Sequence, residues 1–276
     1  MENTNKTILV LWDFSPKAEC AFAHAVNFAQ ATGVDITLLH VVKGDKDVEP
    51  AEKKLGEIAE KLSAQANIPV HVEVIKGSIF KSISSYASHS HVEMVVMATH
   101  GVKGIQRFTG SWAIKVIRGS KVPFLVVQNM PQGKKYDNIL FPVDFKKENI
   151  EKIKWAHFLY NLYKGRIYIV HPRVSDQSFK KRIYSNMVFT KKYFDNTDIP
   201  YTIDTIGKDL AKDTVEYAKK VQANLILIAL SKTLTFADYL MRPAEQDIIA
   251  NEAKIPVMVI SPKPKQLSGG FSATGN

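Results

Sequence analysis

The chain has 276 residues, 45% of them hydrophobic and 23% charged, with a formal net charge of +10. That is a soluble globular composition, long enough for one large domain or two ordinary ones that bury their cores without disulfides or a structural metal. The single cysteine, Cys20, excludes an internal disulfide framework and any cysteine-based zinc or iron–sulfur cage, and points to a reducing, cytoplasmic setting.

The first apolar run, from Thr7 to Asp13, reads as a β-strand and is too short for a secretory leader. Between Pro16 and Thr32, apolar residues fall at Ala18, Ala21, Phe22, Ala25, Val26 and Ala29, the spacing of an amphipathic helix, and Gly33 supplies its stop. Further strands read near 35–42, 70–76, 93–98 and 123–128, with helical patterns between them. Residues 129–135 form a linker, after which strands read near 138–143, 165–170, 200–206, 224–230 and 256–260. The Ser- and Gly-rich end, 265–276, is expected to be a flexible tail. No stretch approaches the ~20 apolar residues of a membrane-spanning helix.

The second series repeats the first. Asp13 and Asp144 close matching apolar runs 131 positions apart, and His40 and His171 share that offset. Val122-Pro123-Phe124-Leu125 returns as Ile255-Pro256-Val257-Met258 at an offset of 133. Anchors in the same order imply duplication, with domain 1 over 1–130 and domain 2 over 136–264. Apolar strands alternating with helices imply a parallel sheet covered on both faces, so the fold class is α/β, two tandem doubly wound domains.

The charge is divided unevenly. Residues 1–130 hold 14 basic and 12 acidic side chains, whereas 131–276 hold 23 and 15. A surplus confined to one half argues against a chain-long groove for nucleic acid.

In an open parallel sheet, ligands bind at the carboxyl ends of strands, where strand order reverses. Asp13, Val41 and the segment after the fourth strand occupy such ends. That segment, Ala98-Thr99-His100-Gly101-Val102-Lys103-Gly104-Ile105-Gln106-Arg107-Phe108-Thr109-Gly110-Ser111-Trp112, is a glycine-rich loop feeding a helix. Unencumbered backbone N–H groups and the helix dipole suit phosphate oxygens there; Ser111 adds a hydroxyl, and Lys103 or Arg107 a countercharge.

Each signal also has a plainer reading. Asp13 and Asp144 could bond nearby backbone N–H groups as loop caps. His40 and His171 read as structural histidines, and the His89-x-His91 pair lacks a third metal ligand. Cys20 reads as packing, and Ser15 has no recognisable triad around it. Lys180-Lys181-Arg182 and Lys191-Lys192 form either a solvated helix face or a docking surface for an acidic partner or nucleic acid. The interleaved Tyr184, Phe189, Tyr193 and Phe194 could equally be that helix's buried stripe.

These runs and this loop resemble those of tandem universal stress proteins. The resemblance implies a five-stranded parallel sheet of order 3-2-1-4-5 in each repeat and, in ATP-binding members, an aspartate closing the first strand and a loop G-x2-G-x9-G-[S/T]. It implies that Asp13 holds the nucleoside side, that the Val41 backbone contacts adenine, and that Gly101 with Gly110-Ser111, followed by Trp112, serves the phosphates. Two departures stand out: Ala98 replaces the first glycine, and eight residues rather than nine separate Gly101 from Gly110, with Gly104 adding a flexible point. The corresponding segment of domain 2, from Ser231 to Pro243, has no glycine.

The resemblance therefore implies a cytoplasmic stress-response regulator that binds ATP, ADP or AMP in domain 1, with Mg2+ accompanying ATP, and that is not an enzyme. It also implies pairing of the two fifth strands as an intramolecular pseudo-dimer, with a further homodimer and a protein partner open. The alternatives are a nucleotide-free interaction scaffold and an adenine-nucleotide hydrolase.

Overall fold

The computed structural model describes residues 6–89, 91–99, 110–145, 149–230 and 244–261, with backbone alone for 110–112 and 149. The tail and the segment from Ser231 to Pro243 lie outside them.

In the first half, β1 (Thr7–Leu11), α1 (Pro16–Thr32), β2 (Asp35–Val42), α2 (Val48–Ala66), β3 (Val70–Lys76), α3 (Ile79–Tyr86), β4 (Val92–Ala98), α4 (Gly110–Gly119) and β5 (Phe124–Val127) follow one another. The second half repeats the scheme with β6 (Asn138–Pro142), α5 (Asn149–Tyr163), β7 (Arg166–Pro172), α6 (Gln177–Asn196), β8 (Tyr201–Ile206), α7 (Leu210–Lys220), β9 (Leu225–Ala229), α8 (Ala244–Ile249) and β10 (Val257–Ile260). β1 ends two residues before Asp13, earlier than the apolar run suggests: the Trp12 N–H still donates to the Leu39 carbonyl at 2.8 Å, but Phe14 then turns into the left-handed region, with φ of 59°.

All ten strands join one sheet of order β3-β2-β1-β4-β5-β10-β9-β6-β7-β8. Each half thus has the order 3-2-1-4-5, and the fifth strands meet antiparallel, Met258 opposite Leu125 and Val259 opposite Phe124. An apolar fifth strand left open would be a sticky edge; pairing removes both edges at once. Side chains reinforce the seam, with Gln128 Nε2 donating to the Asn251 carbonyl at 2.9 Å and the Ser261 hydroxyl bonding the Ser120 carbonyl.

Strand alternation sends side chains into two cores. Ile8 and Val10 face α1, α2, α5 and α6, whereas Leu9 faces α3, α4, α7 and α8, and each core contains residues of both halves. The pseudo-dimer is therefore fused through two continuous apolar layers as well as through its backbone ladder.

α1 begins with Pro16, whose missing N–H costs nothing at a first helical position. It ends at Gly33, with φ of 72° and its N–H on the Ala29 carbonyl at 2.8 Å. No atom would meet a Cβ at Gly33. Gly33→Ala should therefore destabilise by conformation alone, about 1 kcal/mol, read as a lower urea midpoint at unchanged m.

Candidate functional site at the carboxyl ends of β1, β2 and β4

The order reverses between β1 and β4, where successive crossovers leave on opposite faces and open a crevice. A cleft of about 720 Å³, its open mouth included, lies there. Its apolar walls include Leu11, Leu39, Val41, Ile83, Met97 and Ala98, and its polar margin Trp12, Asp13, Ser15, Lys17 and His40. Asp13, Val41 and Ala98, three positions named from sequence, thus share one site.

Asp13 is exposed, and its Oδ1 accepts the Ser15 N–H at 3.0 Å. The loop-cap reading therefore holds for this carboxylate, while its second oxygen remains available to a ligand. β2 runs three residues past Leu39, its last partner on β1. The Val41 peptide groups on that side consequently face the cleft rather than a strand.

His40 sits beside Asp13 and Val41, its Nδ1–H donating to the Trp12 carbonyl at 2.7 Å and its ring edge-on to Phe14 at 4.7 Å. It is a structural histidine that also forms part of the cleft wall. Lys17, the second residue of α1, reaches across to the Gln128 carbonyl at the end of β5. Sequence reasoning did not single out Lys17 or Trp12; their signal was their closeness to Asp13.

Three buried polar atoms at this end of the sheet have no hydrogen-bond partner among the described residues: Trp12 Nε1, Ser15 Oγ and Thr99 Oγ1. Ser15 occupies the N-cap position of α1, yet its hydroxyl does not cap the helix. Unsatisfied buried donors and hydroxyls are costly, and a polar ligand would satisfy them.

The phosphate side of the reading is only partly covered. Gly101 and Gly104 lie outside the described residues, as do His100, Lys103 and Arg107. Gly110, Ser111 and Trp112 form the first residues of α4, described by backbone alone. Since α4 crosses over from β4 to β5, its positive N-terminal end lies at the carboxyl ends of the strands.

In the second half, side chains bond backbone carbonyls at the matching strand end. The Asn186 Nδ2–H donates to the Asp144 carbonyl at 2.7 Å, and the buried Lys152 ammonium bonds the Pro142 carbonyl and lies 4.2 Å from the Phe141 ring centroid. Lys152 stands where the 131-residue offset places Ala21. His171 pairs through Nε2 with the Thr205 hydroxyl at 3.1 Å.

Cys20 is buried in the core, as expected. His89 and His91 pack against Tyr86, with ring centroids 4.9 and 5.8 Å away. Among the described residues no three His, Cys, Asp or Glu side chains are placed to hold a metal ion. The buried-stripe reading of α6 holds for Phe194 and partly for Tyr193, but Tyr184 and Phe189 are 72% and 47% exposed.

The universal stress protein family model matches residues 4–128. A universal stress protein of Thermus aquaticus is 30% identical over 135 residues, spanning 98% of that protein and 45% of this chain. The chain belongs to the universal stress protein family. A universal stress protein of Methanocaldococcus jannaschii is 29% identical over 143 residues, spanning 84% of that protein and 46% of this chain. Both relatives align over most of their own length but under half of this one, as a doubled universal stress protein requires. The crystal structure of a universal stress protein from Archaeoglobus fulgidus shares the fold across both halves, with a TM-score of 0.72 at 18% identity, covering 95% of this chain and all of that one. Among the described residues of this universal stress protein, no helix is long and apolar enough to cross a membrane.

Proposed function

We propose that this universal stress protein is a cytoplasmic regulator that holds ATP, or another adenine nucleotide, in the domain 1 cleft and retains it rather than turning it over. The observation that carries this reading is an apolar slot at the switch point, edged by the Asp13 carboxylate and by Trp12 Nε1 and Ser15 Oγ, two buried polar atoms without partners among the described residues. A flat heteroaromatic ring would lie between Val41, Ala98 and the neighbouring aliphatic walls. Asp13 would accept ribose or amino N–H and O–H groups, and the Val41 peptide would bond the ring edge.

The start of α4 would supply N–H groups and positive potential to phosphates. ATP would bring Mg2+ as countercharge. The segment from Ser231 to Pro243, which has no glycine to bring bare backbone N–H groups up to phosphates, supports confining the ligand to domain 1.

Purified protein denatured in acid or heat is expected to release close to one adenine nucleotide per chain. Gly110→Arg, which places a bulky side chain at the start of α4, is expected to release less than about a tenth of that, a loss on the scale of one removed anchoring interaction. Absence of released nucleotide, together with a thermal midpoint unmoved by added ATP, would instead identify a nucleotide-free scaffold. Conversion of the retained ATP to ADP within hours would mark a hydrolase.

A further inference from the structure

The outer helix–strand unit of domain 2, α6 with β8, is covered less well than its counterpart, α2 with β3. β8 is an outer strand of the sheet, and four consecutive residues, Thr202 to Thr205, are exposed. On β3, the opposite outer strand, Val70, Val72 and Val74 pack onto the core beneath α2. Five of the eight large exposed hydrophobic side chains among the described residues belong to the α6–β8 unit: Phe179, Tyr184, Val188, Phe189 and Ile203. The clustering marks a surface that is apolar by construction rather than by scatter.

A groove of about 1250 Å³, its open side included, runs between α6 and β8. Its floor includes Ile183, Met187, Val188 and Ile203, and Arg173, Lys180 and Lys191 stand along it. No acidic side chain lines it, and these three cations have no ion-pair partner among the described residues. Asp204 is on the other face of β8, its Oδ2 accepting the Tyr217 hydroxyl at 3.1 Å. Asp176 is taken up in capping α6, accepting the Ser178 and Phe179 N–H groups.

We propose that this groove receives an acidic, extended segment of a partner protein, laid along the open edge of β8. The edge offers backbone N–H and C=O groups to an added strand, the usual route by which a sheet edge recognises a peptide. Side chains facing the groove would be apolar at the centre and carboxylate at both ends. The spacing fits: Lys180 and Lys191 are eleven residues apart on one helix, about 16 Å along its axis, a distance that an extended strand covers in about five residues. The aliphatic floor accepts Leu or Val and the cations accept carboxylates, which points to a protein segment; the Tyr184 and His171 rings also line the groove and offer bases a stacking surface, so an oligonucleotide is the competitor in the test.

The test uses the full-length chain and fluorescein-labelled Glu-Thr-Leu-Thr-Val-Thr-Glu, read by anisotropy. Saturable binding is expected. It should weaken about tenfold or more in Ile203→Lys, which adds positive charge but removes floor, and in Lys180→Glu with Lys191→Glu. A control peptide of the same charge with Ser in place of Leu and Val should bind at least about tenfold more weakly. These variants alter exposed positions, and far-UV circular dichroism verifies their folding. In the unaltered chain, the peptide should also slow hydrogen exchange at the β8 amides. Failure to saturate, equal binding of the Ser control, or indifference to Ile203→Lys would overturn the proposal. So would an oligothymidylate that displaces the peptide and binds more tightly, since the surface would then recognise nucleic acid.

Discussion

Phe28→Ala is expected to lower the unfolding free energy by about 3–5 kcal/mol, a large share of the 5–15 kcal/mol typical of a folded chain. Phe28 is fully buried on α1, its ring stacked on Tyr136 at 4.8 Å and edge-on to Tyr163 at 5.9 Å. Tyr136 comes from the connection between the halves and Tyr163 from the end of α5. One ring therefore joins the first half, the connection and the second half. Removing it leaves a cavity that neither a helix end nor a sheet can readily fill. Because both apolar cores run across the seam, urea should still unfold the variant in a single transition, at a lower midpoint. A midpoint within about 1 kcal/mol of the unaltered chain would show that the aromatic cluster does not join the halves energetically.

The second large effect concerns His24, one turn earlier on α1. Its Nε2–H donates to the Asn129 carbonyl at 3.0 Å, while Nδ1 accepts the Tyr136 hydroxyl. Burial lowers its pKa to about 4, against the Asn129 bond, which raises it. Burial also keeps Tyr136 protonated, with its hydroxyl well above the usual tyrosine range.

A histidine with a depressed pKa binds fewer protons folded than unfolded, so stability rises with pH through the window. Its share is fully present above about pH 6.5 and is lost as pH falls toward 4. The loss by pH 4 is about 3 kcal/mol, at 1.36 kcal/mol per unit. His157, also lowered by burial, acts with the same sign. His24→Gln isolates the His24 share: urea midpoints between pH 7.5 and 4 should fall more steeply in the unaltered chain than in the variant. Parallel profiles would remove His24 as the cause.

Much of the architecture was legible because it rests on patterns that repeat along the chain. The 131-residue offset between Asp13 and Asp144, and between His40 and His171, disclosed the duplication. Strands apolar on both faces, such as Thr7–Leu11, could only belong to a covered parallel sheet. Gly33 stops α1 because it alone accepts that backbone angle without strain. Asp13, Val41 and Ala98 were found because strand ends at a switch point follow from strand order, which resemblance supplied.

The rest depended on contacts between residues far apart in the chain. Nothing local shows that Lys17 reaches Gln128, that Ser15 leaves its helix uncapped, or that Trp12 Nε1 lacks a partner; each follows from how α1 settles against β5 and the cleft. Nor could periodicity divide the aromatic residues of α6. Phe194 lies over Phe141, while Tyr184 and Phe189 remain outside, because the helix covers β8 only in part.

The sequence by itself determined two homologous α/β halves, the position of the candidate site, and the confinement of most of the positive charge to the second half. Periodicity, punctuation and charge are properties of neighbouring residues, and they survive in the unfolded chain. The resemblance anticipated the pairing of the fifth strands; only the tertiary structure decided that both halves share two cores, and that His24 is locked beneath the connection between them. It also decided that part of the excess positive charge lines an apolar groove. Those outcomes come from packing and desolvation, which act only once distant segments have been brought together.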